Sequence, residues 1–221
     1  MAIAIDGPSG AGKSTIAKAV AKELGYIYVD TGALYRTIGL YAMEKGVDTT
    51  DGDGIAFILH EINLELTYIK GAQRVILNDR DVSEEIRRPE MGMAASNVSA
   101  IPRVREFLLD MQRSMAREHD VVMDGRDIGT VVLPDAKIKI FLTASVEERA
   151  RRRYDEHIAR GENVCYEDIL SDMRRRDYND TNRASAPLRQ ADGAVLLDTT
   201  GNTLEQSISR ILDMIKEHKP E

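Results

Sequence analysis

Residues 2–24 read AIAIDGPSGAGKSTIAKAVAKEL, and the architecture of the whole chain can be built outward from them. The apolar run Ala2–Ile5 has the length of a buried strand. The alanine-rich run Lys13–Leu24 has the composition of a helix, and Gly25 follows it where helices commonly end. Between the two runs, GPSGAGKS matches the pattern G-x-x-x-x-G-K-S/T at every fixed position. The stretch predicts a strand, a phosphate-binding loop and a helix in succession.

The glycine-rich loop predicts a binding site for the triphosphate of ATP. Its glycines let successive backbone N–H groups turn toward one centre, and the following helix adds its positive N-terminal end. We expect Lys13 to reach the β- and γ-phosphates and the Ser14 hydroxyl to ligate Mg²⁺. A glycine-rich turn without a ligand is the alternative, and the flanking strand and helix argue against it. The residues expected to contact ATP are Gly7, Pro8, Ser9, Gly10, Ala11, Gly12, Lys13, Ser14 and Thr15.

The composition predicts one globular core with insertions. The chain has 221 residues, of which 43% are hydrophobic and 30% charged, ordinary values for a protein with a sizeable core. The formal net charge of −7 argues against a nucleic-acid polymer as partner. The single cysteine, Cys165, fits a reducing compartment. With no signal-peptide pattern, long apolar run or leftover apolar face, we expect a cytoplasmic monomer without membrane contact.

Apolar runs and helical patterns alternate along most of the chain. The predicted strands are Ala2–Ile5, Tyr26–Val29, Val121–Met123, Ile138–Leu142 and Ala194–Leu197. The predicted helices are Lys13–Leu24, Leu34–Lys45, Pro102–Glu118, Val146–Arg160, Glu167–Asp177 and Leu204–Lys216. Alternation of this kind predicts an α/β fold whose core is a five-stranded parallel sheet with helices on both faces.

The segment of about 37–100 interrupts this alternation. Two short alternating runs, Leu64–Ile69 and Arg74–Leu77, are separated by KGAQ at 70–73, which indicates a hairpin. We therefore expect a small antiparallel insert, flanked by helices, on a core formed by about 1–36 and 101–221.

Candidate residues for a second substrate follow two of the predicted strands. Ligands of open α/β sheets bind at the carboxyl ends of the strands. DTGALYR, which begins at Asp30, offers the Thr31 hydroxyl and the planar guanidinium of Arg36, which suits a phosphate. A place near a helix N-cap for Thr31 and a solvated helix position for Arg36 are the alternatives.

The second group follows the apolar run Val121–Met123. Asp124 ends this run, as the acid of a Walker B element does, so it is a candidate to hold Mg²⁺ through water. GRDIGT then places Arg126 and Asp127 on one loop. A turn or capping role for Asp124 and a surface ion pair between the other two are the alternatives.

Five segments of the chain carry a family resemblance. They are IDGPSGAGKST, DTGALYR, ASNVSAIPRVRE, DGRDIGTVV and RDYNDTNRASAPL. In this order and spacing they resemble the bacterial-type cytidylate kinases, a family of P-loop nucleoside monophosphate (NMP) kinases. The resemblance covers nearly the whole chain, and DGRDIGT and RVRE are far more specific than the P-loop. It implies ATP and CMP as substrates, with dCMP also accepted, Mg²⁺ as cofactor, and CMP bound beneath the insert.

The resemblance also implies roles for nine residues on the acceptor side. The residues implied to contact the cytosine base are Ser96, Arg105 and Asp127. The acceptor phosphate would be bound by Thr31, Arg36 and Arg126. The ribose and phosphate would be contacted by Arg176, Asp180 and Arg183. The family sometimes has serine at the position of Thr31 and glycine at that of Ser14. Both differences keep or add a hydroxyl, so neither weakens the assignment.

Nine arginines and no lysine lie between Arg149 and Arg183. Guanidinium groups pair with phosphate oxygens in a bidentate way, so the segment predicts a helical lid over the transferring group, at about 149–166. Eight acids lie in the same interval, and a solvated, salt-bridged face is the alternative. We expect about half of these arginines to lie at the surface, and Arg153 and Arg176 to act in catalysis with Lys13.

Other functions remain open on the sequence alone. A P-loop also occurs in GTPases and motor ATPases, and a related kinase could act on UMP, AMP or another acceptor. A nucleotide-dependent switch is less consistent with the sequence, because the predicted fourth strand is followed by LTAS at 142–145 rather than a guanine-reading N/TKxD pattern.

Overall fold

The computed structural model describes residues 1–69 and 71–218, except for the side chain of His218. Five parallel strands form the central sheet in the order β2-β6-β1-β7-β8. The strands are β1 (Ala2–Asp6), β2 (Ile27–Asp30), β6 (Val121–Gly125), β7 (Ile138–Thr143) and β8 (Val195–Asp198). Their near-continuous apolar sequences fit strands that are covered on both faces.

Helices cover both faces of this sheet. On one face, α1 (Lys13–Leu24) and α8 (Leu204–His218) pack their apolar side chains against β1 and β7. On the other face, α5 (Pro102–Glu118) and one π-helical turn (Ile128–Val132) cover β6. The predicted α/β fold with a five-stranded parallel sheet is therefore confirmed.

The register of the sheet brings two loops together at its carboxyl edge. Asp6 at the end of β1 lies opposite Gly125 at the end of β6. Asp30 at the end of β2 lies opposite Asp124. The phosphate-binding loop therefore leaves the sheet directly beside the loop that carries Arg126 and Asp127.

The insert is a small antiparallel sheet surrounded by helices. The sheet consists of β3 (Leu64–Ile69), β4 (Ala72–Leu77) and β5 (Arg80–Asp81). The helices around it are α2 (Thr31–Glu44), α3 (Gly52–Ile58) and α4 (Met91–Ser99), with short 3-10 turns at Leu59–Glu61 and Glu85–Arg87. These elements share a hydrophobic core that runs from Ala33 to Leu108 and so takes in part of α5. The expected boundaries at about 37 and 100 stay a prediction.

Two helices form the arginine-rich region. They are α6 (Val146–Ala159) and α7 (Tyr166–Asn182), which pack against each other. Arg151 of α6 lies over the ring of Tyr166 in α7 at 4.6 Å, and Tyr154 meets the same ring edge-on. The connection between the helices, 160–165, falls within the expected lid, whose bounds and mobility stay predictions.

Two element bounds differ from those expected by three residues or more. α2 begins at Thr31 rather than Leu34, because the Asp30 carboxylate accepts a hydrogen bond from the backbone N–H of Ala33 and caps the helix there. α7 continues to Asn182, beyond the expected end at Asp177. The expected hairpin is confirmed, because β3 and β4 pair antiparallel. Ala72 already pairs with Ile69, so two residues rather than the four at 70–73 separate the strands.

No helix in the described ranges, 1–69 and 71–218, is long and apolar enough to cross a membrane. The cytoplasmic location and the monomeric state expected from the sequence stay predictions.

Close packing of α2 on α4 depends on a missing side chain at Gly39. A Cβ built there would lie 2.8 Å from the Cβ of Ala94, and backbone atoms of Ala94 lie close behind. We expect Gly39→Ala to lower the free energy of unfolding by about 1–3 kcal/mol, because the helices must move apart. Urea denaturation measures this change. Gly52→Ala is the matched control: a Cβ there meets no atom within 4 Å, so an equal loss in that variant would contradict the packing explanation.

Candidate active site

A single cleft of about 1380 Å³ runs along the carboxyl edge of the sheet. The volume exceeds the roughly 300–1,000 Å³ of sites for one small molecule, so the cleft has room for two nucleotides. All the site residues expected from the sequence line it except Gly7, Pro8 and Arg105. Residues as far apart in the chain as Ser9 and Arg183 therefore meet in one cavity.

The glycine-rich loop has the geometry of an anion site. Gly7 lies against the strand beyond it: a Cβ on Gly7 would come within 1.9 Å of the carbonyl oxygen of Leu142. Gly12 adopts φ 87°, a left-handed conformation that turns the chain into α1. The absence of a side chain at Gly7 therefore lets the loop pack closely on the sheet, while Ser9–Thr15 line the cleft.

Lys13 lies buried at the base of this loop. Its Nζ donates a hydrogen bond of 2.7 Å to the carbonyl oxygen of Pro8. Burial, and next the positive charge of Arg126, lowers the pKa of Lys13 well below its ordinary value. A bound phosphate would oppose both effects, so the lysine is set to gain from an anion in the loop.

Ser14 and Asp124 meet where a divalent cation would be held. The Ser14 hydroxyl and the Tyr28 hydroxyl each donate a hydrogen bond of 2.9 Å to the Asp124 carboxylate. Burial, helped by the nearby charge of Asp30, raises the pKa of Asp124 to about 6. A hydroxyl and a carboxylate are hard oxygen ligands of the kind Mg²⁺ takes. The described ranges contain no group of three or more acidic, histidine or cysteine side chains that could hold a metal ion.

The buried carboxylate of Asp127 lies between two arginines. One carboxylate oxygen accepts from Arg105, and the other accepts from Arg183 at 3.4 Å. Burial raises the pKa of the Asp127 carboxyl, and the two guanidinium groups oppose that rise. Both arginines also donate hydrogen bonds to Ser99: Arg105 to the backbone carbonyl oxygen and Arg183 to the side-chain hydroxyl. Arg105 also lies over the Tyr35 ring and, unlike Asp127, does not line the cleft.

Asp180 forms a second buried ion pair in the cleft. Its carboxylate accepts 2.9 Å hydrogen bonds from Ser96 and from Arg126. Burial acts to raise the pKa of Asp180, but the charges of Arg126 and its neighbours hold it below the ordinary value. The structure thus brings Ser96 to Asp180 rather than to Asp127.

Two arginines that line the cleft, Arg36 and Arg176, each have an N–H group without a hydrogen-bond partner among the described residues. Arg36 donates to Asp30 at 2.8 Å, and Arg176 donates to the Ser9 hydroxyl at 3.1 Å. The Nε atom of each is buried without a hydrogen-bond partner in the described part of the chain. Burial, and next the charge of Arg126, lowers the pKa of Arg176 to about 10. Unpaired buried donors of this kind fit an anion that is still to bind.

Thr31 and Arg153 fit their expected roles less directly. The Thr31 hydroxyl donates to the carbonyl oxygen of Asp124 at 2.8 Å, so it must turn before it can donate to a phosphate. Arg153 lines the cleft, but its guanidinium lies 3.4 Å from the exposed Glu156. Arg149 has a structural position instead: it is buried and donates to Ala144, Ser9 and Asp177.

Sequence reasoning missed three residues that shape the site. Asp6 accepts hydrogen bonds of 2.8 and 2.7 Å from the backbone N–H groups of Ile128 and Gly129, which fixes the loop carrying Asp127. The Asp30 carboxylate accepts a hydrogen bond from Arg36, and the Tyr28 hydroxyl donates one to Asp124. An acid at the end of an apolar strand was a usable signal for Asp6 and Asp30, and none marked Tyr28.

The fold and the site together define a P-loop phosphotransferase. The sequence model of the cytidylate kinase family matches residues 3–217. The cytidylate kinase of Carboxydothermus hydrogenoformans is 46% identical over 215 residues, which cover 97% of each chain. That of Caldanaerobacter subterraneus subsp. tengcongensis is 49% identical over 216 residues, which cover 98% of this chain and 95% of the relative. The chain belongs to the cytidylate kinase family, and the resemblance predicted from its sequence is confirmed.

Solved structures add a likeness of fold alone. An uncharacterized protein from Eubacterium ventriosum superposes with a TM-score of 0.55 at 12% sequence identity, over 98% of both chains.

The titration of Asp6 gives a test of the loop anchor. Burial raises its pKa from 3.8 to about 6, so between these values the folded chain binds more protons than the unfolded chain. The contribution of Asp6 to the free energy of unfolding therefore falls as pH rises from about 4 to about 6. We expect the difference between wild type and Asp6→Asn to shift against the wild type by up to about 3 kcal/mol over that interval. Urea denaturation at pH 4, 5, 6 and 7 measures it, and a difference that stays constant or moves the other way contradicts the assignment.

Proposed function

We propose that this kinase transfers the γ-phosphate of ATP to CMP, and also to dCMP, giving ADP with CDP or dCDP. The observation that carries the proposal is the buried carboxylate of Asp127, held between Arg105 and Arg183 beside the phosphate-binding loop. The Asp127 carboxylate is a hydrogen-bond acceptor and the two guanidinium groups are donors, and a cytosine edge requires one acceptor and two donors. The names of the relatives support the same acceptor.

Cytosine would be selected by hydrogen bonds that uracil cannot make. Asp127 accepts from the 4-amino group of cytosine, and Arg105 turns from Asp127 to donate to the ring N3 and O2. Uracil presents a carbonyl and an N–H at these places, so a buried donor and acceptor would each stay unpaired. Each mismatch costs about 1–3 kcal/mol, which amounts to a preference of roughly tenfold or more per group.

The acceptor phosphate and sugar would lie between the base and the P-loop. Arg36 and Arg126 would bind the phosphate, and the buried Nε of Arg36 is free to do so among the described residues. Thr31 would join them after its hydroxyl turns from Asp124. Asp180 would accept from a ribose hydroxyl while Ser96 supports its carboxylate at 2.9 Å, so Ser96 would act on the sugar side as well as near the base.

The donor nucleotide would occupy the other end of the cleft. The backbone of Gly7–Thr15 would surround its phosphates, with Lys13 leaving the Pro8 carbonyl for them. Ser14 would ligate Mg²⁺ directly and Asp124 through water. The metal supplies charge neutralisation at the phosphate oxygens and orients them.

The chemistry needs placement and positive charge rather than a general base. The transferred group passes through a loose transition state with charge spread over its oxygens, and the attacking phosphate of CMP is already anionic. Arg176 is buried beside the P-loop, and Arg153 lines the same cleft, so both would stabilise that charge. Closure of the lid, at about 149–166, would exclude the water that otherwise hydrolyses ATP.

Acceptor choice is the direct test. We expect kcat/KM for CMP to exceed that for UMP and AMP by at least about tenfold, because uracil mismatches both Asp127 and Arg105, and adenine has a C–H where cytosine offers its O2 acceptor to Arg105. A coupled ADP-release assay with each nucleotide measures the ratio. Hydrolysis of ATP without acceptor should be slow beside turnover with CMP. A preference for AMP, or acceptor-free hydrolysis as fast as turnover with CMP, would overturn the proposal.

Asp127→Asn tests the base contact with little change in shape. The amide can donate where the carboxylate could only accept, so it tolerates the uracil carbonyl. We expect the CMP to UMP ratio of kcat/KM to fall by about tenfold or more while KM for ATP changes little. Asp135→Asn, an exposed position soon after the same loop, is the control and should keep the ratio. Equal losses for CMP and ATP would indicate a disturbed core instead.

A further inference from the structure

The insert meets the central sheet at the edge strand β2. The Oε1 of Gln73 in β4 accepts a hydrogen bond of 2.9 Å from the backbone N–H of Asp30, and its Nε2 donates to the carbonyl oxygen of the same residue at 3.4 Å. The Tyr68 hydroxyl of β3 donates to the carbonyl oxygen of Tyr28 at 3.2 Å. The carboxamide of Gln73 thus bonds to Asp30 as the peptide group of a neighbouring strand would.

Asp30, to which Gln73 is hydrogen-bonded, also positions Arg36 in the cleft. The Asp30 carboxylate caps α2 through the N–H of Ala33 at 3.0 Å and accepts from Arg36 at 2.8 Å. Arg36 is packed tightly there, since its Nη1 lies 3.1 Å from where a Cβ of Gly32 would be. A shift of the Asp30 backbone therefore moves both the start of α2 and the guanidinium that it positions.

A cavity separates the hairpin from the core at this point. It measures about 210 Å³ and is lined by Lys18, Tyr28, Arg36, Gln73 and Ser83, among others. Side-chain packing is incomplete across such a gap. At this point the hairpin and β2 are joined by the hydrogen bonds of Gln73 and Tyr68.

We propose that Gln73 is a positioning residue for acceptor binding: it ties the insert hairpin to β2 and, through Asp30, holds Arg36 ready for the acceptor phosphate. The inference rests on the proposed function, in which Arg36 binds that phosphate. It assigns Gln73 no contact with either substrate. The base end of the site, at Arg105 and Asp127, is held by other bonds and is independent of Gln73.

A comparison of CMP binding with cytidine binding distinguishes this positioning role from general support of the insert. We expect Gln73→Ala to raise the Kd for CMP by about threefold to tenfold, the loss of one or two hydrogen bonds, and to leave the Kd for cytidine unchanged. Isothermal titration measures CMP directly and cytidine by displacement of CMP. Arg74→Ala is the control, because Arg74 neighbours Gln73 in β4 but pairs with exposed Asp81 and Glu84.

A double-mutant cycle gives a second, independent measure. If Gln73 acts through Arg36, Gln73→Ala should have no further effect on KM for CMP when Arg36 is already alanine. Additive effects of the two substitutions, equal losses for CMP and cytidine, or no loss for CMP would each overturn the inference. If the unaltered protein fails to bind CMP at all, the proposed function fails instead, so the two failures are distinguishable.

Discussion

The parallel pairing of β1 with β6 is the constraint on which the site depends. It sets Asp6 opposite Gly125, so the phosphate-binding loop and the loop of Asp127 leave the sheet on adjoining strands. Asp6 then joins the two loops through the backbone N–H groups of Ile128 and Gly129. Phosphoryl transfer requires the reacting atoms to be held within a few ångströms, and this pairing places the two loops side by side through the backbone itself.

Paired buried charges are the second feature of the site. The chain has a net charge of −7, yet its cleft gathers arginines because carboxylates lie among them: Arg183 on Asp127, Arg126 on Asp180, and Arg36 on Asp30. Breaking such a pair leaves an uncompensated buried charge, which is strongly destabilising. The substrate would therefore exchange places with existing partners.

Much of the fold could be predicted from local sequence, and much of the site could not. The strand, loop and helix of residues 2–24 follow from composition and spacing, and the alternation of later elements gave the parallel sheet. The start of α2 was missed because it depends on one capping side chain, Asp30. The bonds from Asp6 to Ile128 and from Gln73 to Asp30 join distant parts of the chain, and no spacing rule reports them. The proposal that Arg105 and Asp127 read the base came from family resemblance, since the sequence alone gives either residue the pattern of an ordinary surface charge.

A crystal structure of the protein with CMP is the most direct test of this account. The account predicts that the 4-amino group of cytosine donates to the Asp127 carboxylate, that Arg105 turns from Asp127 toward the ring N3 and O2, and that the CMP phosphate lies against Arg36 and Arg126. A cytosine ring bound elsewhere in the cleft, with Arg105 and Asp127 still paired only with protein groups, would contradict it.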